Sequence, residues 1–135
     1  MTGFMLDTNI CIELIRGRGE RVLDQLRTHP PGDVAISAIT FAQLQFGVSK
    51  SARPQRNALL LIQFCAPLAI APFDAKAAET YGAVRAGLER DGRPIGPLDT
   101  LIAAHALSLG HTVVTNNLRE FRRVSGLKVE NWLAR

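Results

Sequence analysis

The chain has 135 residues, enough for one domain around one hydrophobic core. At 47% hydrophobic and 21% charged residues it is globular in composition, which excludes an extended disordered chain. A net charge of +4, carried mostly by arginine, mildly favours an anionic partner.

Further classes fall away by inspection. No run approaches the roughly 18 apolar residues of a membrane span, so no membrane partner is expected. Met1-Thr2-Gly3-Phe4 lacks the basic start and apolar stretch of a signal peptide. Cys11 and Cys65 have no metal-ligand spacing and read as reduced structural thiols. Together these features point to a cytoplasmic protein.

In chain order, Met5-Leu6 is a short apolar strand that ends abruptly in Asp7-Thr8-Asn9. A helix over 8–16 follows, with Ile10, Cys11, Leu14 and Ile15 as its apolar stripe, stopped by Gly17 and Gly19. Residues 20–29 form a second helix, and Pro30-Pro31-Gly32-Asp33 a turn. Val34-Ala35-Ile36 is a buried strand, and Ser37 opens a helix over 38–49. Pro54 begins a helix that runs to Cys65, Pro being suited to a first turn. Residues 68–70 are a third strand. Asp74 caps a long helix through Leu88, ended by Asp91-Gly92-Arg93-Pro94. Ile95-Gly96-Pro97-Leu98 leads to Asp99, where a helix to Leu109 opens. Residues 112–115 are a fourth strand, a short turn runs through Arg123, and 127–129 are a fifth, edge strand. Strands alternating with helices predict an α/β fold: a central parallel sheet of four to five short strands flanked by helices, with right-handed crossovers. No repeat or linker divides 1–135, so one domain is expected.

Parallel topology carries the carboxyl ends of the strands to one edge, where ligands bind in open α/β sheets. Asp7, Thr8 and Asn9 fall there, as do Ser37, Thr40 and Gln43, then Asp99, then Thr115, Asn116 and Asn117 with Glu120 close behind. Two or more acids beside hydroxyls and amides suit a hard cation such as magnesium, which takes oxygen ligands and retains waters. No Cys/His cluster competes for zinc. Each residue also has a plainer reading. Asp7 and Asp99 are residues that cap helices, Glu120 lies among surface arginines, and His105 sits on an Ala-rich helix as a packed histidine. Arg16, Arg18, Arg21, Arg119, Arg122 and Arg123 are candidate phosphate contacts or scattered solvated charges. The chain lacks closely spaced aromatics for a base-stacking platform.

The residues resemble a known family. Met5-Leu6-Asp7-Thr8-Asn9-Ile10 is similar to the opening of the PIN-domain ribonucleases, and more narrowly of VapC-type toxins from bacterial toxin–antitoxin pairs. The stretches 37–48, 95–106 and 114–121 resemble the following three motifs, and Gly126-Leu127 with Glu130-Asn131-Trp132 the usual ending. Four motifs in order cover essentially the whole chain.

The resemblance implies a single PIN domain and a magnesium- or manganese-dependent endoribonuclease. Asp7 and Asp99 would be the metal ligands, Gln43 and Glu120 would complete the catalytic set, and Thr8, Asn9, Thr115 and Asn117 would orient ligands or substrate. Arg16, Arg18 and Arg119 would contact RNA phosphates. The Thr-Asn-Asn ending resembles toxins that cut initiator tRNA in the anticodon stem-loop. A cognate VapB-type antitoxin and a homodimer are also implied.

One departure stands out. Gln43 occupies a position where the family usually has Glu. A unit charge at about 4 Å is worth about 4 kcal/mol of gross attraction per unit of cation charge at an effective dielectric of about 20. Weaker metal binding is therefore expected. The second reading is a catalytically impaired PIN-like module that binds RNA or antitoxin. A receiver-type or phosphatase domain fits less well, since Asn9 stands where its second acid would be.

Overall fold

A computed structural model of the chain describes residues 3–133. Five parallel strands form one sheet: β1 (Phe4–Leu6), β2 (Val34–Ser37), β3 (Ala69–Ala71), β4 (Thr112–Val114) and β5 (Val129–Glu130). Their spatial order is β3-β2-β1-β4-β5. The chain moves outward from β1 through β2 to β3, then crosses back to β4 on the other side. The gap between β1 and β4 is thus the topological switch point, where the connections leave a crevice outside the carboxyl edge.

Helices α1 (Thr8–Ile15), α2 (Glu20–Arg27), α3 (Ala38–Lys50) and α4 (Pro54–Cys65) supply one layer. They pack with Leu6, Ile36 and Val114 in one core cluster that includes Ile10, Val22, Leu44 and Leu61. Helices α5 (Ala75–Arg90), α6 (Pro97–Leu109) and α7 (Leu118–Phe121) cover the other face. There Met5 and Val113 meet Leu88, Ile102, Ala106 and Phe121. The alternation Met5/Leu6 and Val113/Val114 divides neighbouring residues between the two faces, as strand geometry requires. β1 and β4 are buried on both sides, which explains why they read as continuous apolar runs.

Most sequence-predicted elements form within one or two residues of expectation. Four ends move. The helix over 20–29 stops at Arg27. The third strand is Ala69–Ala71, one residue later than expected. The fifth is Val129–Glu130, because Leu127 N–H is drawn into a turn with the Val124 carbonyl. The most consequential shift is in α6, which starts at Pro97 rather than Asp99. Proline's fixed φ suits a first helical position, and Gly96 precedes it as the cap. Asp99 is therefore the third helical residue and not a capping residue.

Among the described residues no helix is long and apolar enough to cross a membrane. Cys11 and Cys65 are both free thiols.

Candidate active site

The site grows from the end of β1. Leu6 pairs in register with Val114, so the next residues, Asp7 and Thr115, stand side by side at the switch point. The Asp7 side chain is almost wholly buried, at 1% exposure. Its Oδ1 accepts from Ile10 N–H at 2.8 Å and caps α1. Its Oδ2 accepts from Thr115 Oγ1 at 2.5 Å. Capping and site membership, alternatives in the sequence, are here one arrangement: the cap bonds fix the carboxylate at the sheet edge. Burial pushes the Asp7 pKa up, while hydrogen bonds from Thr115 and from the backbone of Ile10 and Asn9 pull it down.

Asp99 approaches from α6. Its pKa is raised to about 6, first by burial and then by the negative charges of Asp7 and Glu120. Three carboxylates, from the end of β1, from α6 and from α7, thus share one electrostatic environment. Glu120, the least certain acid in the sequence, belongs to this group.

On the opposite wall Thr8 Oγ1 donates to Gln43 Oε1 at 2.8 Å and lies 3.0 Å from Thr40 Oγ1. The Gln43 carbonyl oxygen is engaged by a neighbouring hydroxyl, and with Thr40 it ties α3 to the start of α1. Asn9 is exposed, and what it gives Asp7 is its backbone N–H. Asn117 likewise contributes a backbone N–H, donated to Thr115 Oγ1 at 2.9 Å. That bond orients the hydroxyl, whose proton then goes to Asp7.

The arginines divide. Arg119 is exposed on α7, one residue from Glu120. Arg16 and Arg18 sit beyond the far end of α1, which rises 1.5 Å per residue, so Arg16 is carried about 13 Å along the axis from Asp7. Arg18 is paired with Glu13 at 2.9 Å. Glu13, close to Asp7 in sequence, is thereby committed elsewhere. Arg123 donates to the Pro94 carbonyl at 2.9 Å and ties the α5–α6 turn to α7.

Sequence reasoning treated His105 as a packed histidine, and it is 1% exposed. Its Nδ1 lies 2.8 Å from Ser37 Oγ, and the Pro72 carbonyl also hydrogen-bonds the ring. Ser37 Oγ accepts from Ile39 N–H as the α3 cap. With Nε2 protonated toward Pro72, Nδ1 accepts the Ser37 proton and every polar atom of this buried relay is satisfied. His105 thus joins α6, the start of α3 and the segment after β3, a linking role that nothing in its local pattern revealed.

The carboxylates do not form a ready-made cage. Among the described residues no three His, Cys, Asp or Glu side chains lie close enough to hold an ion on their own. The donor set nevertheless fits a hard cation that keeps most of its waters, as magnesium does with one or two carboxylates.

Comparison with known proteins agrees with this architecture. The PIN-domain family model matches residues 4–127. A Shigella flexneri protein named tRNA(fMet)-specific endonuclease VapC is 44% identical over 98% of this chain and 99% of its own length. Its Salmonella typhimurium counterpart of the same name is 42% identical over the same shares. Among solved structures, the DNA-bound VapBC complex from Salmonella typhimurium superposes with a TM-score of 0.92 at 42% identity, covering 98% of this chain and 99% of that one. VapBC2 from Rickettsia felis, bound to a promoter DNA fragment, gives 0.89 at 41%, covering 96% and 98%. With matches of this extent, the chain belongs to the PIN-domain family and, within it, to the VapC ribonucleases.

Proposed function

We propose that this chain is a metal-dependent endoribonuclease toxin that cleaves tRNA, the initiator tRNA anticodon stem-loop being its substrate, and that one PIN domain spanning 1–135 carries the activity in the cytoplasm. The observation that carries the reading is the convergence of Asp7, Asp99 and Glu120: burial first, and then repulsion from Asp7 and Glu120, raises the Asp99 pKa to about 6. A divalent cation held by these carboxylates would offset that repulsion. The names of the VapC relatives give the substrate class.

Asp7 and Asp99 are assigned as the ligands of magnesium or manganese, with Glu120 and Gln43 completing the catalytic set. When bound, such an ion lowers the pKa of its water and stabilises charge on the phosphate. The protein's own part is positional. Thr115 and the Ile10 N–H hold the Asp7 carboxylate in one orientation. The Thr8–Gln43 bond holds the opposite wall. Asn9 and Asn117 act through their backbone N–H groups, and Arg119 meets the RNA phosphates beside the acids. Arg16 and Arg18 contact phosphates farther along a bound strand, Arg18 on release from Glu13.

The antitoxin and dimer readings have surfaces to draw on. A groove of about 530 Å³ between α1, α2 and α4 is lined by Leu14, Leu23, Leu26 and Phe64, an apolar seat for a segment of a VapB-type antitoxin. Phe46, Leu59 and Ile62 are each more than 60% exposed on α3 and α4, surface available to a homodimer.

The experiment is incubation of the purified chain with total tRNA, with and without magnesium or manganese, followed by mapping of cut ends. Cleavage only with added metal, lost in Asp7→Ala and Asp99→Ala, is expected. Retention of RNA without cleavage would instead favour the impaired binding module, the outcome to which Gln43 lends weight.

A further inference from the structure

A cleft of about 220 Å³ lies between the second half of α5 and the first turn of α6, the helix that carries Asp99. Its apolar surface comes from Leu88, Ile95 and Pro97, and its rim carries Tyr81, Arg85 and Glu89. The rim is ordered. Arg85 donates through Nη1 to Tyr81 Oη at 3.1 Å and through Nε to Glu89 at 2.8 Å. The floor is also fixed, because Thr100 Oγ1 donates to the Gly96 carbonyl at 2.8 Å and Arg123 to the Pro94 carbonyl.

We propose that this cleft is a nucleobase subsite, which receives one unstacked base of the RNA strand near the phosphate that is cut. The inference rests on the nuclease reading for its substrate and adds to it a place where sequence is read.

Three observations choose this occupant. The first is place: Thr100, which lines the cleft, directly follows Asp99 on α6, and Arg123, which bonds the Pro94 carbonyl at the cleft, lies three residues after Glu120. The second is size: the volume is below the roughly 300 Å³ of ordinary ligand sites, which suits one ring system and not a whole nucleotide. The third is chemistry. Single-stranded bases are captured by stacking on aromatic rings or arginine planes and by bonds along their edges. Tyr81 is the chain's only tyrosine, and it stands with an arginine and a carboxylate at the rim of an apolar slot. Arg85 offers donors only and Glu89 acceptors only, so together they match a base edge that presents both kinds of group. Arg90 and Arg93, exposed in the same stretch, add positive charge for the flanking phosphates.

Two measurements on the full chain test the subsite. In the first, total tRNA substituted with 4-thiouridine is bound without metal and irradiated, and cross-linked peptides are sequenced. Adducts at Tyr81 or within 94–97 are expected, and adducts confined to other segments overturn the proposal. In the second, Tyr81→Leu and Arg85→Ala are compared with the unaltered chain. A KM raised roughly five- to hundred-fold, the range of lost base–aromatic stacking, is expected with kcat within about twofold and an unchanged melting temperature. Unchanged KM and cut position in Tyr81→Leu overturn the subsite and leave the nuclease intact. Cross-linking in the cleft by a chain that never cuts RNA keeps the subsite and overturns the nuclease. Neither cross-linking nor cutting overturns both.

Discussion

Thr115 donates its hydroxyl proton to Asp7 across 108 residues of sequence and one strand spacing, at 2.5 Å. The same oxygen accepts the Asn117 N–H, and its own proton points to Asp7. The bond does more than neutralise a polar atom. It selects the orientation of a buried carboxylate that has little solvent to compensate it.

Thr115→Val keeps the shape of the side chain and deletes this donor. It leaves a buried carboxylate short of a bond, which costs about 1–3 kcal/mol. Metal affinity should fall roughly 10- to 100-fold, as is common when a residue that orients a ligand is lost. Calorimetric manganese titration and thermal melts check both effects, and an unchanged titration curve removes Thr115 from the site.

Asp99 gives a pH signature. Its folded pKa, about 6, lies above the ordinary value of an aspartate, about 3.9, so the fold favours its protonated form. The associated stabilisation is fully present below about pH 4 and is lost as pH rises through 6. Asp99→Asn should therefore melt higher than the unaltered chain at pH 8, by up to about 1 kcal/mol after discounting for partial exposure, and the gap should close by pH 4. Magnesium should raise the melting temperature of the unaltered chain at pH 8 and leave the variant unmoved. RNA cleavage should decline below pH 6, as the ligand becomes protonated. Melts across pH with and without metal, together with a pH–rate profile, decide it.

Gln43→Glu restores an acid where Thr8 now donates to an amide oxygen. The carboxylate can accept the same bond, so the local geometry is preserved while a charge is added. Tighter magnesium binding and faster cleavage are expected. Equal rates for both forms across a magnesium titration would sink the idea.

His105→Leu breaks the relay between Ser37 and the segment after β3, leaving Ser37 Oγ without its partner. A loss of about 1–3 kcal/mol is expected from the unsatisfied buried groups. His105→Gln carries one donor and one acceptor and should recover part of it. Chemical denaturation of both variants checks the order, and equal losses would mean that the ring's volume, not its hydrogen bonds, matters.

Local pattern was sufficient for much of this protein. The apolar runs 5–6, 34–36 and 112–114 mark strands, and helical spacing marks what lies between, because period and capping chemistry act over a few residues. The polar residues that follow these runs mark the edge where the candidate site lies. Asp99's place was misjudged by two residues because the Gly96-Pro97 pair reads equally as a turn and as a helix start. The Arg18–Glu13 ion pair was not legible, because a pair formed around the end of a helix has no periodic signature.

By itself, then, the sequence determined a parallel α/β domain with Asp7, Gln43, Asp99 and Thr115 near strand ends. Tertiary structure decided what those residues do to one another. The strand order 3-2-1-4-5 sets Thr115 beside Asp7, and the packing of α6 and α7 brings Asp99 and Glu120 within electrostatic range. The same packing opens the cleft at Tyr81. The physical reason is separation. Capping and periodicity are settled between neighbours, whereas a carboxylate's orientation and pKa depend on burial and on charges that arrive from a hundred residues away.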